Sequence, residues 1–220
     1  MFYSNYVATY IERDVTDLVN VSSLKTFRQF IKKCASLSGS VLNYNKISNE
    51  LDVSVNTIKN WISILEMSFI VFTINKHYSN LGKRITKSPK LYFLDTGLLC
   101  YLLEIENTEE LILSQDFGKI FETFIISQFY KKYLHLGKTP NFTFFRDSNG
   151  NEIDFINTYK KNVDYYEIKS GITFKTEFTN VMMKLLKEED KKNLIYRGDK
   201  KFNFKSVTVI PWNEVDYGMI

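Results

Sequence analysis

Two alternating runs late in the chain constrain the fold most. Residues 151–160 read NEIDFINTYK and residues 163–171 read VDYYEIKSG. Alternation of apolar and polar residues is typical of half-buried β-strands. Because side chains two residues apart on a strand share a face, Glu152 and Asp154 lie on one face of the first strand, and Glu167 and Lys169 share a face of the second.

The two runs flank Lys161-Asn162, which we interpret as the loop of a β-hairpin. In that register Asp154 lies opposite Lys169 and diagonal to Glu167. Two or three carboxylates and one ammonium group then gather on one patch. Because like charges held this close repel unless a cation offsets them, the patch is a candidate site.

The composition indicates an ordinary globular chain with one large or two small domains, since 44% of its 220 residues are hydrophobic and 25% are charged. Two cysteines and two histidines exclude the usual four-ligand zinc site. The cysteines are far apart in sequence and indicate reduced thiols in a cytoplasmic protein. No apolar run reaches membrane-spanning length, so we expect no membrane partner.

The first half of the chain is mainly helical. An amphipathic helix leads (residues 1–21), and a second spans residues 22–38 and ends at Gly39. A short helix over 46–51, a turn at Asp52-Val53 and a helix over 55–67 capped by Ser54 predict a helix-turn-helix. The outer face of the longer helix would contact DNA through four side chains: Asn56, Thr57, Lys59 and Asn60.

A basic segment follows this helix-turn-helix. Strands over 69–74 and 90–94 frame it, and it holds five Lys or Arg and no acid between Lys76 and Lys90. A helix-turn-helix followed by a basic hairpin predicts a winged helix over residues 22–95, with Lys83, Arg84 and Lys87 contacting phosphates. The alternatives are a protein-interaction module and a hairpin tip that is merely solvated.

Asp95-Thr96-Gly97 matches the tripeptide of aspartic proteases. Here it follows a strand and precedes a helical stretch, which favours Asp95 as a helix N-cap or turn residue. Residues 96–115 are interpreted as a connector to a second domain.

The second domain is predicted to be α/β and to span residues 116–220. A long helix over 117–133 carries Glu122 in its first turns. A strand over 142–146 and a turn over 147–150 precede the two alternating runs. A helix over 174–186 and strands over 193–196 and 206–210 follow.

The acidic patch has the chemistry of a divalent-metal site, because carboxylate oxygens are the ligands that Mg²⁺ or Mn²⁺ requires. Asp154, Glu167 and the Ile168 carbonyl would hold the ion, Lys169 would orient a water, and Glu122 would complete the coordination. Arg146 is a candidate phosphate contact, with a surface or carboxylate-pairing role as the alternative.

The order of these residues resembles a known superfamily. Asp154, a gap of 12 residues and Glu167-x-Lys169, after a helix bearing Glu122, resemble the PD-(D/E)XK nucleases. The segment from Lys87 to Gly97, Gly118-Lys-Ile-Phe-Glu122 and Phe145-Arg146-Asp147 resemble more closely the C-terminal region of bacterial and archaeal AAA+-type ATPases, where a winged helix joins such a domain.

This resemblance implies a DNA-binding, metal-dependent nuclease module with Mg²⁺ or Mn²⁺ as cofactor. Asp154, Glu167 and Lys169 would be catalytic, and Glu122, Asp154 and Glu167 would hold the metal. The resemblance also implies a P-loop ATPase domain as a partner in cis or in trans. These 220 residues do not supply that domain themselves, because no GxxxxGK[ST] motif occurs in the sequence. The alternative is a catalytically inert module that binds DNA or protein and regulates an ATPase.

Overall fold

The fold is mixed α/β and divides into two compact units. A computed structural model describes residues 2–9, 24–77 and 88–217. The first unit comprises Met1–Thr73 and Ser88–Thr123, and the second comprises Ile74–Lys87 and Phe124–Ile220. The division differs from the predicted boundaries, because the segment after residue 73 groups with the second unit and residues 96–115 group with the first.

The first unit is built mainly from helices. The helices predicted over 22–38 and 55–67 are confirmed, and residues 10–21 of the leading helix lie outside the described residues. The elements of this unit are α1 (Phe2–Tyr6), α2 (Leu24–Ser36), β1 (Ser40–Val41), α3 (Tyr44–Leu51), α4 (Val55–Met67), β2 (Val71–Lys76, which continues into the second unit), β3 (Lys90–Phe93), α5 (Thr96–Leu102) and α6 (Thr108–Leu113).

The turn between α3 and α4 forms as the sequence predicts. Asp52 adopts the left-handed conformation (φ 52°) that ends α3. The Ser54 side chain then accepts a hydrogen bond from the Thr57 amide at the start of α4. Behind α4, the Trp61 ring packs 5.3 Å from Phe27 and 5.1 Å from Phe30, between ring centroids. This aromatic contact fixes the pair of helices on α2.

Residues 96–115 form two short helices, and α5 is part of the core of the first unit. Its apolar residues Leu98, Leu99 and Leu102 are buried. Asp95 caps the helix, since its Oδ1 accepts from the Leu98 amide at 2.8 Å, and the N-cap interpretation is confirmed. The Tyr3 hydroxyl donates to the same oxygen at 3.0 Å and lies where a Cβ on Gly97 would be.

The second unit is a mixed sheet with helices packed on it. The elements named here for the first time are α7 (Phe117–His135, which begins in the first unit), β4 (Phe142–Arg146), β5 (Glu152–Tyr159), β6 (Asn162–Lys169), α8 (Asn180–Leu185), β7 (Lys191–Tyr196), β8 (Phe202–Phe204) and β9 (Val207–Pro211). The strand order in this unit is β2-β4-β5-β6-β7-β9-β8. The pairs β4–β5, β5–β6 and β8–β9 are antiparallel. The pairs β2–β4, β6–β7 and β7–β9 are parallel. The helix predicted over 174–186 is shorter, because its first part is a 3₁₀ turn at Thr176–Thr179.

The β5–β6 hairpin has a different turn from the one expected. Residues Lys160 and Lys161 form the two-residue turn, with Lys160 at φ 54°, and Asn162 pairs with Tyr159 in the ladder. The predicted loop at Lys161-Asn162, and the pairing of Asp154 with Lys169, are therefore wrong. Moving the turn by one residue shifts the register by two, so each side chain keeps its predicted face.

An aromatic cluster lies behind the two strands. The ring centroids of Phe142 and Phe155 are 4.7 Å apart, and Phe129 of α7 lies 5.1 Å from both Phe155 and Tyr166. These rings pack α7 on the sheet behind β5 and β6.

In the described part of the chain, no helix is both long and apolar enough to cross a membrane.

Candidate active site

The candidate site lies where the pairing of β5 with β6 ends. The last pair of this ladder is Phe155 with Tyr166, while β6 continues to pair with β7 through Lys169. Just beyond that last pair, Asp154 Oδ2 accepts a hydrogen bond from the Ile168 amide at 2.9 Å. A side-chain carboxylate thus takes the place of a strand–strand bond, which fixes Asp154 beside β6.

Glu167 and Lys169 complete a cluster around this carboxylate. The Lys169 ammonium lies 2.5 Å from Glu167 Oε1 and 3.9 Å from Asp154 Oδ2. Glu167 is 5% exposed and Asp154 is 8% exposed, whereas about a third of the Lys169 side chain reaches solvent. The ammonium offsets the repulsion between the two buried acids. The structure therefore brings together Asp154, Glu167 and Lys169, as the sequence predicts.

Glu122 belongs to the first unit and has strong partners there. Its Oε1 accepts from the Tyr92 hydroxyl at 2.6 Å and from the Lys90 ammonium at 3.1 Å. The Lys90 side chain is only 3% exposed, so this is a buried ion pair. Sequence reasoning missed Lys90 and Tyr92. Their spacing of two residues on a predicted strand, which puts both on one face, was the available signal.

Arg146 pairs with a carboxylate across the β4–β5 ladder. Its Nη1 lies 3.5 Å from Glu152 Oε2, and the two residues are register partners. The Arg146 side chain is about half exposed. The structure thus shows Arg146 in the carboxylate-pairing role that the sequence analysis gave as the alternative. A phosphate contact by Arg146 stays a prediction.

A tight loop follows Arg146. Asp147 Oδ1 accepts from the amides of Asn149 and Asn151 at 2.8 and 2.9 Å, and Oδ2 accepts from the Asn151 side chain at 2.6 Å. These bonds stabilise the ionised form, with the Asn151 side-chain bond contributing most, and lower the pKa of Asp147. The predicted turn at 147–150 thus has a specific cause.

Asp154 and Glu167 carry carboxylate oxygens, which are the donor atoms that a hydrated hard cation would use. Among the described residues, no group of three or more His, Cys, Asp or Glu side chains is placed to hold a metal ion. Mg²⁺, however, is commonly bound by one or two carboxylates and keeps several waters. Two carboxylates would therefore hold Mg²⁺ or Mn²⁺ only with most of its water retained.

The predicted DNA-contact residues of α4 differ in exposure. Asn56, Lys59 and Asn60 are exposed, and Lys59 Nζ lies 5.8 Å from the centroid of the Tyr44 ring. Thr57 is half-buried and bonds Ser54 Oγ through its hydroxyl at 2.8 Å, which makes it part of the cap. The remaining three predicted contacts lie outside the described residues: Lys83, Arg84 and Lys87.

Two models of protein families match parts of the chain. Residues 1–109 match a domain of unknown function, DUF8612, and residues 117–215 match a second, DUF4143. The second is known in proteins associated with AAA-type ATPases. No solved structure matches the chain.

Two curated mycobacterial relatives share part of the sequence. Uncharacterized protein Mb2031c of Mycobacterium bovis and uncharacterized protein Rv2008c of Mycobacterium tuberculosis are each 30% identical to this chain over 123 residues. The matched region is 56% of this chain and 28% of each relative. The chain thus spans just over a quarter of the length of these relatives.

Proposed function

We propose that this chain is a DNA-binding, metal-dependent nuclease module, made of a winged helix and a PD-(D/E)XK-like domain. The observation that supports it is the convergence of Asp154, Glu167 and Lys169 where β5 and β6 part, with Lys169 Nζ 2.5 and 3.9 Å from the two carboxylates. Two buried acids and one lysine on neighbouring strands are residue types that can hold a metal ion and stabilise the charge that develops in phosphodiester hydrolysis.

Asp154 and Glu167 would hold Mg²⁺ or Mn²⁺ at this position. When bound, the ion supplies a water of lowered pKa and charge stabilisation for the phosphodiester. Asp154 is oriented by the Ile168 amide, which keeps its carboxylate beside Glu167. Lys169, the most exposed of the three, would donate to the attacking water or to a phosphate oxygen.

The first unit would supply DNA docking. The exposed Asn56 and Asn60 on α4 carry amides, which can both donate to and accept from base edges, and Lys59 would contact phosphate. Because DUF4143 is known in proteins associated with AAA-type ATPases, an ATPase domain in cis or in trans is part of the proposal.

The test is a nicking assay on plasmid and on short branched or single-stranded DNA with Mg²⁺ or Mn²⁺. We expect cleavage by the wild-type chain and a loss of about 100-fold or more in Asp154→Asn, Glu167→Gln and Lys169→Ala, as for removal of a group that acts in the transition state. Asp154→Asn keeps an acceptor for the Ile168 amide. Glu177→Gln, an exposed acid paired with Lys175, is the control and should cleave normally. Nicking that persists in the Asp154→Asn protein would overturn the proposal.

A second candidate is an inert DNA- or protein-binding module that regulates an ATPase. It is favoured by the intramolecular partners of both acids, since the Ile168 amide bonds Asp154 and the Lys169 ammonium bonds Glu167. Calorimetry separates the two candidates. The inert module predicts no divalent-ion binding that is lost in Asp154→Asn and Glu167→Gln.

A further inference from the structure

A basic surface lies at the turn end of the β5–β6 hairpin in the second unit. Lys138, shortly after α7, places its Nζ 4.8 Å from the centroid of the Tyr159 ring, and Lys160 places its Nζ 5.3 Å from the same centroid. Lys161 is the next residue of the turn and is exposed. We call Lys138, Tyr159, Lys160 and Lys161 the lysine turn.

Among the described residues, no carboxylate forms an ion pair with the lysines of the lysine turn. Lys90 and Lys191, in contrast, do pair with acids. Two ammonium groups share one aromatic ring, whose negative face attracts each of them while they repel each other. A polyanion bound here would relieve that repulsion.

The backbone of the turn supports a functional role for this charge. Lys160 has φ 54°, a left-handed conformation that costs free energy for a residue with a Cβ. Two-residue hairpin turns favour Asn or Gly at such a position. A lysine at this position places an ammonium group at the hairpin tip at a cost in backbone free energy. Lys205, between β8 and β9, has the same conformation (φ 53°), so the argument for binding rests on the clustered charge.

We propose that the lysine turn binds the phosphodiester backbone of nucleic acid. This contact is separate from the candidate active site. Tyr159 lies five residues along β5 from Asp154, which corresponds to about 17 Å at the rise of a strand. The inference rests on the proposed function, since it gives the same module a second contact with its DNA. Lys138 and Lys160 lie against the Tyr159 side chain. Because ammonium groups contact phosphate without reading base edges, the proposed contact is independent of base sequence.

The experiment measures binding of a fluorescent DNA duplex by the full chain at several salt concentrations. The variant Lys138→Ala/Lys160→Ala/Lys161→Ala should lower the slope of log affinity against log salt by about 2 to 3, and should weaken binding about tenfold or more near 0.1 M salt. The matched control, Lys184→Ala/Lys200→Ala/Lys201→Ala, removes the same charge from exposed lysines of the same unit. It should leave the slope unchanged.

A single variant separates folding from binding. Lys160→Gly removes one charge and relieves the left-handed backbone, so it should raise the unfolding midpoint in urea while it weakens DNA binding. A variant that is both more stable and equally tight in binding would overturn the inference.

The remaining outcomes distinguish the two proposals. Equal losses of DNA affinity in the two triple variants would show that binding depends only on net charge, and would overturn the inference. Binding of polyglutamate in preference to DNA through the lysine turn would also overturn it, in favour of an acidic protein partner. If the wild-type chain binds and cleaves DNA and the lysine-turn variant binds equally well, the inference alone fails. If the wild-type chain neither binds nor cleaves DNA, the proposed function fails and the inference fails with it.

Discussion

Single residues explain why the acids of this chain have different roles. Glu122 and Glu167 were both predicted as metal ligands. Glu122 faces a nearly buried lysine and a tyrosine hydroxyl, whereas Glu167 faces the partly exposed Lys169. The stability of a protein depends strongly on both members of a buried ion pair, because one charge left in the interior without the other is poorly solvated. We therefore expect Glu122 to matter for stability within its own unit.

Breaking the Lys90–Glu122 pair should destabilise the protein. Glu122→Gln or Lys90→Met should each lower the free energy of unfolding by about 3–5 kcal/mol, because each removes one charge of a largely buried ion pair. The double variant should cost less than the sum of the two, which urea denaturation of all four proteins would measure. Disruption of the exposed Lys32–Glu104 pair by Glu104→Gln is the control and should change little. Strict additivity of the two substitutions at the buried pair would contradict this interpretation.

The same pair shows what sequence could predict at this scale. Alternation on the strand gives Lys90 and Tyr92 a common face, and Glu122 lies on a helix. Their meeting across about thirty residues depends on tertiary packing that has no local signal. Asp95 is the opposite case, because an N-cap is decided by the residues that follow it directly.

At the scale of elements, sequence patterns predict the face of a strand on which a side chain lies, and the residue that caps a helix. They predict less well which residues pair across two strands. The period of two placed Asp154 and Glu167 on one surface, and Ser54 correctly marked the start of α4. The register of the hairpin was missed because its turn uses Lys160, which is outside the usual turn signature of Gly, Asn or Asp. The two-residue β1 and three-residue β8 are too short for a periodic pattern.

The loop after β4 gives a pH-dependent prediction. Hydrogen bonds lower the pKa of Asp147 below its ordinary value of 3.8, so the ionised group stabilises the fold at pH values above 3.8. This contribution is lost as the pH falls through the lowered pKa. We expect the stability difference between the wild-type chain and Asp147→Asn to be constant above about pH 5 and to shrink on acidification below 3.8. Urea denaturation at a series of pH values measures it, and a difference that grows on acidification would contradict it.

At the scale of the whole molecule, the two units are not consecutive in sequence. The end of β2 pairs in parallel with β4, through Asn75 with Thr143, and the His77 amide donates to the Phe144 carbonyl at 2.6 Å. This pairing places Ile74–Lys87 in the second unit. Sequence reasoning placed the boundary at residue 116 because pairing between strands nearly seventy residues apart leaves no local pattern.

A fragment of residues 116–220 should therefore behave worse than the full chain. It lacks β2, so the outer edge of β4 loses its hydrogen-bond partners and can pair with other molecules. We expect soluble aggregates by size-exclusion chromatography with light scattering. Thr143→Lys in the fragment should reduce them, because a charge on an edge strand opposes such pairing. A monodisperse fragment with the unfolding midpoint of the full chain would contradict this expectation.

Gly97 gives the first unit an unusual attachment. The Tyr3 phenol occupies the space that any larger residue at position 97 would claim, and it reaches the cap of α5 through that gap. The absence of a side chain at position 97 thus lets Tyr3 of α1 hydrogen-bond the cap of α5. Gly97→Ala would displace the flexible end of the Tyr3 side chain and break its hydrogen bond to Asp95, while Tyr6 still packs on the core of the unit and the apolar residues of α5 stay unchanged.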